Sequence, residues 1–152
     1  MSYQTSHPSD TQALEAVVEK FGIPNLHLVI DLRILQDLRT MLDSDGDQFV
    51  AELLDIYLTD APLRVQMIKD AAANGERTKL QKAAHALRSP SVSIGAARLG
   101  MMCQSLEISA DNQLWAELSQ MINQIESEYR NVVKFITAYV SWGSKKEGES
   151  TR

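Results

Sequence analysis

Apolar residues recur at spacings of three and four along nearly the whole chain, and no stretch alternates apolar with polar over strand length. That pattern commits the chain to helices that bury one stripe each, and it excludes a sheet. With 152 residues, 44% of them apolar, there is enough material for a single domain with one core. Seven glycines, four prolines, two Trp, four Tyr and three Phe also argue against a β-sandwich. The expected fold class is all-α: an antiparallel up-down four-helix bundle over about 45–142, preceded by short N-terminal helices.

The punctuation sets the expected elements. Residues 1–9 are polar, and Asp10–Phe21 carries Leu14, Val17, Val18 and Phe21 as a short amphipathic helix stopped by Gly22 and Pro24. Asn25–Ile30 is a short apolar lead-in, extended or one helical turn. Asp31–Leu42 places Leu32, Leu35, Leu38, Met41 and Leu42 on one stripe. The acidic run Asp43-Ser44-Asp45-Gly46-Asp47 puts glycine fourth from its first Asp, where a calcium-binding EF-hand loop needs it sixth, so it reads as a turn and cap. From Asp47 to Asn74 the helical pattern includes Phe49, Leu53, Leu54, Tyr57, Leu58, Leu63, Met67, Ile68 and Ala71. Pro62 predicts a kink or break there, with Asp60 as a second cap. Helices are further expected over Glu76–Ser93, Ala96–Ile108 and Leu114–Trp142. Residues 143–152 contain no apolar side chain and are expected to be a disordered tail. The domain boundaries follow: an extension with a short helix over 1–24, a helical domain over 25–142, and the tail.

Charge and cysteine content narrow the function classes. A net charge of −5 without clustered Lys and Arg disfavours nucleic acid as a partner. Cys103 is single and forms no internal disulfide, which fits a reducing compartment. No apolar run is long enough to span a membrane, and the polar N-terminus lacks the apolar stretch of a signal peptide. A cytoplasmic location is the expectation.

One run carries chemistry: His85-Ala86-Leu87-Arg88-Ser89-Pro90-Ser91-Val92-Ser93-Ile94-Gly95-Ala96. Leu80, Ala84, Leu87, Ser91 and Ile94 form an inward seam, and His85 stands one residue, about 100°, off it. Its neighbours one turn away are Gln81, Lys82, Arg88 and Ser89. A neutral imidazole beside cations can attack a phosphoryl group whose oxygens need charge neutralisation. The plainer alternative is a histidine that merely borders the core. His7 and His27 have no metal-ligand spacing with His85, so no metal site is expected. Pro90 lacks the N–H that would bond Ala86 C=O, so a bend just after Ser89 is expected.

The stretch from about Phe49 to Glu107 resembles the histidine-containing phosphotransfer (HPt) domain, whose core reads His-x-Leu-Lys-Gly-Ser-Ser-x-x-Ile-Gly-Ala, followed by Leu, Cys and Leu-Glu. This chain has His85, Leu87, Arg88 in place of Lys, Ser91, Ile94, Gly95 and Ala96, then Leu99, Cys103, Leu106 and Glu107. Upstream, Glu52-Leu53-Leu54, Tyr57-Leu58, Asp60, Pro62 and Ala83-Ala84 also fit, and the resemblance extends over roughly 31–140. Ser89 replaces the usual Gly, and Pro90 a small Ser.

The resemblance implies a carrier rather than a true enzyme. A phosphoryl group passes from a receiver-domain aspartate to His85 and on to another response regulator, without intrinsic kinase or ATPase activity. It implies Arg88 as the phosphate-facing cation and Glu107 as the acceptor that orients the imidazole. Gln81, Lys82, Ser89 and Val92 then lie on the docking surface. It also implies no cofactor of the chain's own, Mg²⁺ belonging to the receiver's acidic pocket. The partners implied are receiver domains and a hybrid sensor histidine kinase, the chain being a monomer rather than a dimer. The alternatives are a receiver-binding module without efficient transfer and a structural dimerising bundle.

Overall fold

The structure, a computed structural model, describes residues 29–150, with side chains through residue 141. The helix expected over Asp10–Phe21 and the 1–24 extension lie outside the described residues. Among the described residues five whole α-helices follow one another: α1 Leu32–Met41, α2 Gly46–Ala73, α3 Arg77–Ser93, α4 Ala97–Ser109 and α5 Trp115–Ser150. A 3₁₀ turn, Asp43–Asp45, joins α1 to α2. Among the described residues there is no strand. Helix α2 packs on α3, α3 on α4 and α4 on α5, while α5 closes back on α2; α1 lies against α2. The expected all-α bundle is the observed fold class.

Local chemistry accounts for the ends. The Asp31 carboxylate accepts from the Arg33 N–H at 3.0 Å, capping α1. The Arg33 guanidinium also binds it and holds the Asp31 carboxyl below the usual carboxylate range. Helices α2 and α3 end alike, on left-handed glycines, Gly75 at φ +66° and Gly95 at φ +91°. The next N–H reaches back five residues in each case, Glu76 to Ala71 and Ala96 to Ser91, both at 2.9 Å. Gly95 does more than turn the chain. Its carbonyl accepts from Asp31 N–H at 2.9 Å, and a Cβ there would stand 2.7 Å from the Asp31 carbonyl oxygen. The approach to α1 is therefore closed to any side chain at this position.

Neither internal proline ends its helix. Pro62 lies on the solvent side of α2, so water can satisfy the carbonyl it leaves unpaired. The residues around it, Tyr57, Ala61, Val65 and Ile68, are buried in the same core on both sides of the proline, and the helix stays unbroken. Asp60 pairs with Arg64 rather than capping a second helix. Helix α3 likewise continues through Pro90 to Ser93 as one helix. Ser91 Oγ donates to Leu87 O at 2.8 Å and meets Tyr57 Oη at 2.9 Å, while Ser93 Oγ donates to Ser89 O at 2.9 Å. Leu87 and Ile94, on either side of Pro90, are essentially inaccessible. Burying such side chains contributes about 2 kcal/mol each, which together outweighs the roughly 3 kcal/mol penalty of an interior proline.

Two other expectations change. Helix α5 runs on to Ser150 where a disordered tail was expected from residue 143. Lys and Glu prolong an already nucleated helix readily, so no apolar stripe is needed there. Within α5 the largest fully buried side chain is Phe135, and Glu128 is buried too, its Oε1 3.9 Å from Arg98 Nε. The outward side of the bundle retains large apolar residues. Phe49, Leu63 and Met67 belong to the apolar pattern of α2 yet are 40%, 64% and 55% exposed. The apolar arc of α2 is wider than its packed interface.

Two outcomes follow from this packing. Tyr57→Phe removes the hydrogen bond to Ser91 but leaves Ser91 bonded to Leu87, so urea unfolding should show a loss of about 1 kcal/mol. Burial pushes the Cys103 thiol up to about 12, the Glu107 charge adding to the effect. The unfolded thiol ionises near its ordinary value of about 8.5, so above that pH the unfolded chain binds fewer protons. Stability from this group is complete below that pH and declines as pH rises toward 12. At pH 8 the native protein should react slowly with a thiol-disulfide reagent such as DTNB, and at once in denaturant.

Candidate functional site

The inward seam of α3 sets the site. Leu80, Ala84, Leu87, Ser91 and Ile94 are all buried, as the spacing requires, and Ala83 joins them. With that face fixed against the core, one residue of rotation carries His85 to the outside, where its side chain is 65% exposed.

Helix α4 supplies the partner. Glu107 lies 22 residues from His85 in sequence, and its Oε1 stands 3.0 Å from His85 Nδ1. A carboxylate can only accept, so the proton in this contact belongs to Nδ1. That tautomer leaves the lone pair on Nε2. The Glu107 side chain is mostly covered, and its Oε2, shielded from solvent, has no hydrogen-bond partner among the described residues. Arg88 Nη1 lies 3.9 Å from that oxygen, close enough for charge attraction and too far for a hydrogen bond. The guanidinium is thus poised beside the imidazole without being locked to the carboxylate.

Two features bring α3 and α4 to this spacing. Gln81 Nε2 donates to the Glu107 backbone carbonyl at 3.3 Å, tying the helices one turn before His85. Gly100 lets them approach further along: a Cβ there would stand 2.5 Å from Val92 Cγ2. Of the residues singled out from sequence, His85, Arg88, Glu107 and Gln81 converge on one cluster. Val92 packs toward Gly100 while keeping half its surface in solvent. Lys82 and Ser89 lie exposed on the outer face of α3, and neither side chain makes an ion pair or hydrogen bond among the described residues.

Sequence reasoning missed Gly100, because a mid-helix glycine carries no sign of what approaches it. It also missed an exposed apolar row on α2: Phe49, Ile56, Leu63 and Met67. Tyr57 reaches α3 through Ser91, and Lys69, about 120° further round α2, reaches Glu126 of α5 at 2.8 Å. The row sits about 100° from Tyr57 in the opposite sense, and so flanks α3 on its outer side. On the other flank, α4 exposes Met101 and Ile108. The imidazole therefore stands between two apolar margins. Among the described residues no group of His, Cys, Asp and Glu could hold a metal ion, and no helix is long and apolar enough to cross a membrane.

The hydrogen bond at Nδ1 can be read directly. Nitrogen NMR of the neutral His85 ring should show Nδ1 protonated and Nε2 bare. In Glu107→Ala the population should move toward the Nε2–H form. An unchanged tautomer in that variant would contradict the geometry.

Known proteins share this fold. The family model for the Hpt domain matches residues 52–128. Among solved structures, the chain is similar to histidine-containing phosphotransfer protein B of Pseudomonas aeruginosa PAO1, with 24% identity, a TM-score of 0.60, and coverage of 78% of this chain and 94% of that one. It is also similar to a histidine-containing phosphotransfer protein from rice, with 16% identity, a TM-score of 0.70, and coverage of 91% and 98%. No curated protein matches the sequence.

Proposed function

Because the chain belongs to the Hpt domain family, whose members serve histidine phosphotransfer in phosphorelays with receiver domains and histidine kinases, we propose that His85 is its phosphoacceptor. In this reading it takes a phosphoryl group from a receiver aspartate and passes it to the aspartate of another response regulator. The observation that carries the reading is the pairing of His85 Nδ1 with Glu107 at 3.0 Å on an otherwise exposed ring.

The chemistry follows from that pairing. The Nε2 lone pair attacks phosphorus, the Nε2–P bond forms, and the bond from phosphorus to the aspartate oxygen breaks, leaving a carboxylate on the receiver. No proton needs to move. As Nε2 gives up its electron pair the ring becomes cationic, and the Glu107 carboxylate against Nδ1–H offsets that charge. Arg88, one turn from His85, neutralises the phosphoryl oxygens as they enter. Reversal of the same steps delivers the group to the next receiver. Mg²⁺ belongs to the receiver's acidic pocket, and the chain contributes no cofactor.

The docking surface in this proposal is the outer face of α3, with Gln81, Lys82, Ser89 and Val92 around the imidazole. The apolar margins at Ile56, Leu63, Met101 and Ile108 surround it. Apolar margins around a polar centre are the anatomy of a protein-binding patch. A cytoplasmic monomer suits such a carrier.

The test is transfer of labelled phosphate from a phosphorylated receiver. Wild-type protein should acquire acid-labile label, and His85→Gln should acquire none. Glu107→Ala should slow transfer about tenfold, the equivalent of one charge-assisted hydrogen bond. Receiver binding without label would mean a docking module, and a stable dimer indifferent to His85→Gln would mean a structural bundle.

A further inference from the structure

We propose that Ser89 belongs to the phosphoryl site, its hydroxyl donating a hydrogen bond to the phosphoryl group carried on Nε2 of His85. The proposal rests on His85 being the phosphoacceptor.

Three serines occupy the last turns of α3, and two have their hydroxyls engaged. Ser91 Oγ bonds Leu87 O at 2.8 Å and Tyr57 Oη at 2.9 Å, and Ser93 Oγ bonds Ser89 O at 2.9 Å. Bonding back to the carbonyl four residues earlier is the usual fate of a serine inside a helix. Ser89 departs from it: its side chain is exposed and has no partner among the described residues. Its hydroxyl is open to whatever group arrives at the helix surface.

Helix geometry puts that group within reach. Ser89 follows His85 by four residues, so their Cβ atoms stand about 5–6 Å apart on one face. Side chains on a helix lean toward its N-terminus, which aims Ser89 back over the turn that holds His85. The continuity of α3 through Pro90 preserves this register. Glu107 holds Nδ1 toward α4, so Nε2, across the ring, is directed away from α4 over the outer face of α3. Viewed down the axis, Arg88 lies about 60° from His85 toward α4, and Ser89 about 40° to the other side. A phosphoryl group on Nε2 is bracketed between them. Arg88 is shared with the Glu107 carboxylate at 3.9 Å, whereas Ser89 has no competing acceptor among the described residues.

A donor at this place acts on retention of the group. In the loose transition state of phosphoryl transfer, the peripheral oxygens carry less charge than in the phosphohistidine. A hydrogen bond to those oxygens therefore favours the ground state, slows loss to water, and shifts the transfer equilibrium toward His85. The HPt motif that the chain resembles has glycine here and offers no such donor.

The test labels His85 chemically, with phosphoramidate and no receiver, using His85→Gln as the blank. The decay of the phosphohistidine is then followed at neutral pH by ³¹P NMR. Ser89→Ala keeps a strong helix former in place, so the fold is retained. Its phosphohistidine should decay about threefold faster or more, the equivalent of one ordinary hydrogen bond. Ser89→Thr, which keeps the hydroxyl, should stay within about twofold of wild type. Equal decay of wild type and Ser89→Ala overturns the proposal, and so does failure of threonine to restore the slow rate. Transfer from a phosphorylated receiver is measured separately. A chain that takes the chemical label but not the receiver's would overturn the relay reading, while the decay comparison still decides the part played by Ser89.

Discussion

The rotational setting of α3 is the constraint on which the site depends. Five side chains, Leu80, Ala84, Leu87, Ser91 and Ile94, are buried along one line of this helix. Turning the helix by one residue would expose all of them and bury His85 and Arg88 without partners. Each misplaced large side chain would sacrifice about 2 kcal/mol of burial, and the stranded charge of Arg88 still more. The apolar line is thus what keeps the imidazole in solvent, although none of its members takes part in the chemistry. Tyr57 adds a fixed point, joining α2 to the single polar member of the seam through Ser91.

Close approach is the second determinant. The pairing of His85 with Glu107 needs α3 and α4 near enough for a 3.0 Å contact between two short reaches of side chain. Gly100 makes room for Val92, and Gly95 makes room for the backbone at Asp31. These glycines act for different reasons. Gly95 is required both by a left-handed φ and by the carbonyl against it. Gly100 is helical, and only the neighbouring helix excludes a side chain there. Covering Glu107 completes the device. Its Oε2 is shut off from water with no hydrogen-bond partner among the described residues, so the carboxylate's charge stays concentrated on the ring it orients and on the nearby guanidinium.

Much of the fold was legible in the sequence because helices are local objects. The spacing of apolar residues gave the helices of the bundle and the inward face of α3, and the left-handed glycines marked where α2 and α3 stop. The failures also share a cause. Pro62 has a local penalty that predicts a kink or break, but burial on both sides keeps the helix unbroken there. Phe49, Leu63 and Met67 have the same chemistry as core residues, and only the limited width of the packed interface leaves them outside. Residues 143–150 lack apolar side chains, yet they extend a helix nucleated elsewhere. In each case the deciding contribution came from residues remote from the feature being read.

The sequence by itself determined that the chain is helical, which stripe of each helix is apolar, and that one histidine stands just off such a stripe beside a cation. Those properties depend on residues within two turns of one another, where the 3.6-residue period fixes geometry. Its family motif also pointed to Glu107 as the orienting group. Only the tertiary structure decided that Glu107 meets Nδ1 rather than solvent, that Gly100 admits Val92, and that Ser89 keeps an unengaged hydroxyl while Ser91 and Ser93 do not. Those facts are distances between side chains on different helices or competing acceptors around one turn. They are set by how the whole bundle packs, which the local periodicity does not encode.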